Sequence, residues 1–314
     1  MQLLALVIDS IRESLDRKIF WILIVITLFV TLTMASIGFE GDNVTFLFGI
    51  WSAKTERFNP LSQVGRANLI GATIYLLAAT VMGLIGITLI IIATAGVFPA
   101  FMQRGAVDVL LSKPISRPRL FLCKYLSGMV FVVLQAVIFF GLTFLVMGGR
   151  WGVWAPGYLM SIPLFVLLFS YVYCVSVLVA IKTGSPVAAI LISLFCWMLF
   201  PLIHQSPAVF EAFPELKERT MLYTAVRVVS WIPPKTGDFP YLAARWAQAG
   251  TSIDAIPYFL DTATAEEENT GIQRARQLEE RELAKNQLCS VGSSLLFEAA
   301  VVLWAMRIFA RKDY

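Results

Sequence analysis

Long stretches of this sequence carry no charged residue, and they limit what the chain can fold into more than any other feature. Charge-free runs cover residues 19–39, 67–103, 125–149, 151–181 and 183–210, and residues 286–306 carry only Glu298. A helix needs about 20 apolar residues to cross the roughly 30 Å hydrocarbon layer of a bilayer. Each run meets this length, and none shows the alternating pattern of an outer-membrane barrel. The sequence therefore predicts an all-α polytopic membrane protein with six transmembrane helices.

The composition supports this class and excludes several others. Hydrophobic residues make up 58% of the chain and charged residues only 15%, against about 45–50% and about 25% in soluble domains. A cytosolic enzyme, a disordered chain and a secreted mini-domain are therefore excluded, and the lipid bilayer is the expected surrounding. The net charge of +4 gives no indication of a nucleic-acid partner.

Lysine and arginine in short loops predict the orientation. If the N-terminus is inside, twelve basic residues fall in inner segments and four in the short outer loops. The inner set is Arg12, Arg17, Lys18, Arg104, Lys113, Arg117, Arg119, Lys124, Lys182, Arg307, Arg311 and Lys312, and the outer set is Lys54, Arg57, Arg66 and Arg150. We therefore expect both termini to be cytoplasmic.

Three segments outside the spans have distinct patterns. Residues 1–18 have one apolar face and one charged face, which predicts a helix lying in the membrane interface before the first span. Residues 101–119 are basic and bounded by prolines, which predicts a rigid cytoplasmic hairpin. From the residues alone, this hairpin either docks a soluble partner or only fixes the topology. Residues 206–285 form a long extracytoplasmic segment before the last helix, charged in its second half.

Prolines indicate where two of the spans bend or end. The run over residues 67–103 is too long for one straight crossing, so we expect a tilted span whose end is bent by Pro99. The run over residues 183–210 contains Pro186, Pro201 and Pro207. We expect its span to lie between the first two prolines and an irregular or re-entrant piece to follow Pro201.

The sequence contains few patterns that are typical of catalysis, cofactor binding or metal binding. The phosphate-binding loop and the dinucleotide fingerprint are both absent, and four dispersed cysteines with one histidine predict no metal site. We therefore predict no catalytic, cofactor-binding or metal-binding residue. His204 is expected at the interface. Glu298 lies inside a span, where a carboxylate either contacts substrate or a proton, or makes a packing hydrogen bond or reaches Arg307 at the inner surface.

Several segments together resemble a known family. They are the start "IRESLDRKIFWILIVITLF", the stretch "RGAVDVLLSKPISRPRLFLCKYLSG" and the ending "RIFARKDY". The sequence resembles the type-2 ABC transporter permeases, especially the NosY-like branch associated with multi-copper enzyme maturation. The resemblance follows nearly the whole chain in order, although its specific motifs cover only about a tenth of it.

The resemblance implies a permease subunit of an ATP-binding-cassette transporter, acting as an exporter in a bacterial-type plasma (inner) membrane. ATP and magnesium would bind a separate cytosolic ABC ATPase, and two permeases would pair as a homodimer or heterodimer. The hairpin would seat in that ATPase through Arg104, Asp108, Lys113, Ser116 and Arg117. Two alternatives stay open, namely a membrane scaffold or assembly factor without transport and an intramembrane enzyme that uses His204 or Glu298.

Overall fold

The computed structural model describes residues 18–40, 43–54, 61, 63–102, 116–212, 220–248 and 287–312. The predicted interfacial helix lies outside the described residues except for Lys18. So do Arg104, Asp108 and Lys113 of the predicted hairpin, and residues 213–219 and 249–286 of the predicted outer segment.

Six helices in the described part of the chain are long and apolar enough to cross a membrane. This confirms a multi-pass membrane protein with six candidate spans. The spans run over Lys18–Ala35, Thr80–Phe101, Arg117–Trp151, Pro156–Thr183, Pro186–Pro207 and Cys289–Arg311. The main helices that contain them are α1 (Lys18–Ala35), α5 (Arg117–Trp151), α6 (Ser161–Thr183), α7 (Pro186–Ala212) and α10 (Gln287–Arg311).

The second span is built from several helical pieces. Helix α2 (Gln63–Thr73) leads into a π-helical segment (Ile74–Gly86), in which the span begins at Thr80. The span continues through α3 (Ile87–Thr94) and ends in the short α4 (Val97–Phe101). The regular helix is interrupted by a turn at Ala95 and Gly96, and Pro99 lies in the short helix that follows. The π-helical segment was not predicted.

The prediction of an irregular piece after Pro201 is wrong. Helix α7 continues through Pro201 and Pro207 as far as Ala212. Proline removes an N–H donor and so leaves the carbonyl four residues earlier without its helical partner. For Pro207 that carbonyl belongs to Ile203, and the Ser206 hydroxyl donates to it at 2.7 Å. Neighbouring serine hydroxyls of this kind allow proline inside membrane helices.

A small sheet follows the first span, and the prediction of an all-helical fold did not include it. Strands β1 (Gly38–Glu40), β2 (Asn43–Phe46) and β3 (Trp51–Lys54) pair antiparallel in the order β1-β2-β3. Phe39 pairs with Val44, and Val44 pairs with Ala53. The indole N–H of Trp151 donates to the Ile37 carbonyl at 2.9 Å, which fastens the sheet to the last residue of α5.

Contacts between helices fix their relative directions. Thr27 meets Gln135 and Ile37 meets Trp151, so α1 and α5 run parallel. The start of α5 lies beside the end of α10, because Arg117 contacts Ala310. The first and last spans therefore begin and end at one side of the bundle, which we call the terminal end. The sheet lies at the opposite side, which we call the sheet end.

The remaining described helices lie near the sheet end. They are α8 (Thr220–Val229), a 3₁₀ turn (Thr236–Asp238) and α9 (Phe239–Gln248). Helix α9 packs against the π-helical segment, against α6 and against the 3₁₀ turn over Pro156–Met160 that precedes α6. The described residues 220–248 thus pack against the bundle.

Helix α6 forms the centre of the bundle, with most of its side chains buried. Helices in lipid associate mainly through close packing and interhelical hydrogen bonds, so small residues matter at their contacts. A Cβ atom at Gly128 of α5 would overlap the hydroxyl oxygen of Tyr173 on α6. Only glycine therefore permits this approach. The Tyr173 ring then lies 5.1 Å from the Tyr125 ring.

Candidate functional site

One face of helix α10 carries three polar side chains spaced four residues apart. Ser290, Ser294 and Glu298 occupy this spacing, which places them on the same side of a helix. Ser290 and Ser294 contact the segment over residues 235–238, and Glu298 contacts two other spans. The end of the same helix carries a further set of polar contacts. Helix α10 therefore makes polar contacts at three levels, namely its sheet end, its middle and its terminal end.

Glu298 occupies the middle level and binds two other spans. The Tyr125 hydroxyl of α5 donates to Glu298 Oε1 at 2.8 Å, and the Ser170 hydroxyl of α6 lies 2.8 Å from Oε2. Tyr125 and Ser170 are buried, whereas Glu298 is half-buried. The carboxylate thus links three helices through hydrogen bonds, and part of the Glu298 side chain remains exposed.

The Ser170 hydroxyl can serve either protonation state of this carboxyl group. It lies 2.8 Å from the Leu167 carbonyl as well as 2.8 Å from Glu298 Oε2. With ionised Glu298, the serine proton bonds the carboxylate. With protonated Glu298, the carboxyl proton can bond the serine oxygen while the serine proton bonds Leu167. The geometry therefore satisfies both states without moving a helix.

The surroundings of Glu298 are aromatic and uncharged. Tyr173 stacks between Phe169 and Tyr125, with ring centroids 5.2 and 5.1 Å apart. Among the described residues, Glu298 has no ion-pair partner, and it does not contact Arg307. The hydrogen bonds from Tyr125 and Ser170 are the packing contacts that the sequence analysis gave as one alternative for Glu298.

A second polar group lies at the sheet end of α10. Asp238 is buried in the 3₁₀ turn before α9 and binds two spans through its two oxygens. His204 Nε2 of α7 lies 3.2 Å from Oδ1, and the Ser290 hydroxyl of α10 donates to Oδ2 at 2.6 Å. The Lys235 backbone N–H donates to Ser294 Oγ at 2.9 Å. These bonds hold the segment around residues 235–238 between the last two spans.

The described geometry does not pair Ser290 with His204 as a nucleophile with its base. A serine nucleophile needs a hydrogen bond to the general base that removes its proton. Here Ser290 and His204 bind different oxygens of the same carboxylate. Ser294 accepts from Lys235 and donates to the Ser290 carbonyl at 2.9 Å. In the described part of the chain, groups of three or more metal-binding side chains are also absent.

The terminal end of α10 is capped by a basic side chain from α5. Arg117 Nη1 of α5 donates to the Ala310 carbonyl at 3.0 Å and to the Lys312 carbonyl at 3.2 Å. Lys312 Nζ donates in turn to the Ile181 carbonyl of α6 at 2.9 Å. The last carbonyls of a helix lack internal donors and carry partial negative charge, so a cation bound there is stabilising. Three spans are joined at this end.

Lys182 adds an aromatic contact at the same end. Its ammonium group lies 4.0 Å from the centroid of the Trp304 ring, which links the last turn of α6 to α10. This cation–π contact holds the charge of Lys182 beside the spans.

The predicted site residues are thus partly described. Of the hairpin set, Ser116 is exposed just before α5 and Arg117 lies in its first turn, while Arg104, Asp108 and Lys113 lie outside the described residues. His204 and Glu298 belong to separate clusters. Sequence reasoning missed Tyr125, Ser170, Asp238 and Ser290. Their partners lie 173, 128, 34 and 52 residues away along the chain, so no local pattern pairs them.

Comparison with known proteins does not assign the chain to a family. No protein-family model matches the sequence, and no curated protein sequence matches it.

Proposed function

We propose that this chain is the membrane-spanning permease subunit of an ATP-binding-cassette exporter driven by a separate ATPase. Six candidate spans provide the membrane part, and the basic hairpin over residues 101–119 is the element that meets the ATPase. The chain forms a dimer with a second permease in the plasma membrane, and ATP and magnesium bind the partner.

The observation that carries this proposal is the contact between Arg117 and the last turn of α10. Arg117 belongs to the hairpin segment and donates to two carbonyls at the end of the helix that bears Glu298. A displacement of the hairpin is therefore transmitted to α10, and Lys312 passes it on to α6. Both helices contribute to the Glu298 cluster.

This connection suits a transporter that alternates between two states. A ligand shifts a conformational equilibrium only through different contacts in the two states. ATP binding in the partner would provide that difference at the hairpin, and movement of α10 against α5 would change access to Glu298. The exposed part of this carboxylate then receives either a proton or a donor group of the cargo.

Purification of the full-length chain from its native membranes tests the proposal. We expect a P-loop ATPase to copurify and to hydrolyse Mg-ATP in proteoliposomes. Charge reversal at Arg104 (Arg104→Glu) should remove ATPase binding while leaving membrane insertion unchanged. Arg307→Glu is the matched control, because Arg307 is an exposed arginine at the terminal end of α10.

The other outcomes of this experiment would contradict the permease proposal or favour one of its alternatives. If no ATPase copurifies, or if Arg104→Glu and Arg307→Glu behave alike, the permease proposal fails. If the cellular role survives with a catalytically inactive ATPase, the chain acts as a scaffold or assembly factor. If the isolated chain shows an activity that His204→Ala or Glu298→Gln removes, it is an intramembrane enzyme.

A further inference from the structure

A cavity of about 640 Å³ lies between the first span, the second span and the sheet. Its wall includes Phe29 and Met34 of α1, Val44 of β2, Leu77 of the π-helical segment and Trp151. The cavity is distinct from both polar clusters of α10. Its volume falls in the range of small-molecule pockets, which is about 300–1,000 Å³.

The wall of this cavity gives water almost nothing to bind. Thr33 and Thr73 contribute hydroxyl groups, and each donates its proton to its own helix, to the carbonyls of Phe29 at 2.9 Å and Leu69 at 2.7 Å. A water molecule needs two to four polar partners to occupy a buried site, and cavities without them stay dry and take up apolar ligands. A molecule that enters this cavity would therefore have to be apolar.

The cavity reaches the surface that faces lipid. Phe29 on α1 and Leu76 on the π-helical segment both line it, and both side chains are exposed, at 69% and 59%. These helices belong to or lead into candidate spans. The opening between them therefore meets the acyl chains of the bilayer, which are the most concentrated apolar molecules available there.

Two further features agree with an apolar ligand. The wall at Leu76, Leu77 and Val81 belongs to a helix wound with the π repeat, and π-helical turns occur often at functional sites. The turn between β2 and β3 exposes apolar side chains, at 62% for Phe48 and 84% for Ile50. The sheet that closes the cavity therefore has an apolar edge suited to the bilayer interface.

We propose that this cavity binds one acyl chain of a bilayer lipid, which enters between α1 and the π-helical segment. The proposal does not rest on transport or on a partner ATPase, so it stands or fails independently of the function proposed above.

Photolabelling of the full-length protein in lipid nanodiscs tests it. The probe is a phosphatidylcholine with a diazirine in the middle of one acyl chain, and adducts are mapped by mass spectrometry. We expect adducts on Met34, Leu69 and Leu77, which are buried and line the cavity. Exposed Leu126 reports ordinary surrounding lipid, and buried Ile90, away from the cavity, reports background.

A substitution that fills the cavity supplies the second arm. Ala72 lines the cavity, so Ala72→Phe should reduce adducts on Met34 and Leu77 several-fold and leave those on Leu126 unchanged. Ala300→Phe adds the same group at an exposed position of α10 and should change nothing.

The wild-type result alone can overturn the proposal, even if the filled variant does not fold. Labelling of Leu126 without adducts on Met34, Leu69 or Leu77 means that a chain segment or a second copy of the protein fills the space. Equal adducts in Ala72→Phe and Ala300→Phe would also contradict acyl-chain binding.

Discussion

The guanidinium of Arg117 donates to the Ala310 carbonyl at 3.0 Å, across 193 residues of sequence. The first turn of α5 thereby caps the last turn of α10. The same α10 holds Glu298 at its middle and Ser290 near its start. A single helix thus connects the segment predicted to meet the ATPase with the carboxylate predicted to meet cargo and with the segment at the sheet end.

The Arg117 cap should contribute measurably to stability. Hydrogen bonds from a charged donor are worth about 1.5–3 kcal/mol, and partial exposure lowers this value, so we expect Arg117→Ala to cost about 1–2 kcal/mol. Thermal unfolding in detergent measures the cost, and hydrogen exchange should rise in the last turn of α10. Arg119→Ala is the control, since Arg119 is exposed two residues later. Equal effects of the two substitutions would show that the cap is unimportant.

Replacing Glu298 should separate its structural contribution from its chemical one. Glu298→Leu removes the acceptor for Tyr125 and Ser170, and a buried donor without a partner costs about 1–3 kcal/mol. Glu298→Gln keeps one acceptor oxygen for the Tyr125 hydroxyl, and its amide NH2 can donate to Ser170 Oγ while the serine proton bonds the Leu167 carbonyl. It should therefore leave the unfolding temperature nearly unchanged while reducing transport. A glutamine variant that transports normally would show that neither the charge nor a proton at this position is needed.

The two hydrogen bonds of Asp238 should hold the segment at the sheet end in place. Asp238→Ala leaves His204 and Ser290 without their shared acceptor, so hydrogen exchange should accelerate over residues 235–248. Asp238→Asn retains one carbonyl oxygen and should have a smaller effect. Unchanged exchange in the alanine variant would mean that packing of α9 alone fixes this segment.

Gly128 should be intolerant of any side chain. A methyl group there would overlap the hydroxyl oxygen of Tyr173, and overpacking of this kind costs about 1–3 kcal/mol. Gly128→Ala should therefore lower the unfolding temperature, and adding Tyr173→Phe should restore part of the loss. Gly141→Ala is the matched control on the same helix, because its added methyl group meets no atom within 4 Å. Equal losses in both single variants would contradict the close contact.

Sequence reasoning predicted the spans well because charge-free length is a local property that the bilayer imposes directly. It did not predict that α7 continues beyond Pro201 and Pro207. At Pro207 the Ser206 hydroxyl compensates for the missing N–H donor, and a proline pattern alone does not reveal this contact. The sheet was missed because its strands contain only three or four residues each. Glu298 was recognised as unusual from its position, but its partners Tyr125 and Ser170 depend on helix packing, which no local pattern records.

The accessibility of residue 113 tests the central claim most directly. The four native cysteines are replaced by alanine, Lys113→Cys is introduced, and a membrane-impermeant maleimide is applied to sealed membrane vesicles of known orientation. The account predicts labelling only from the cytoplasmic side, and protection when the copurified ATPase is bound. Labelling from the outer side, or equal labelling with and without the ATPase, would contradict it.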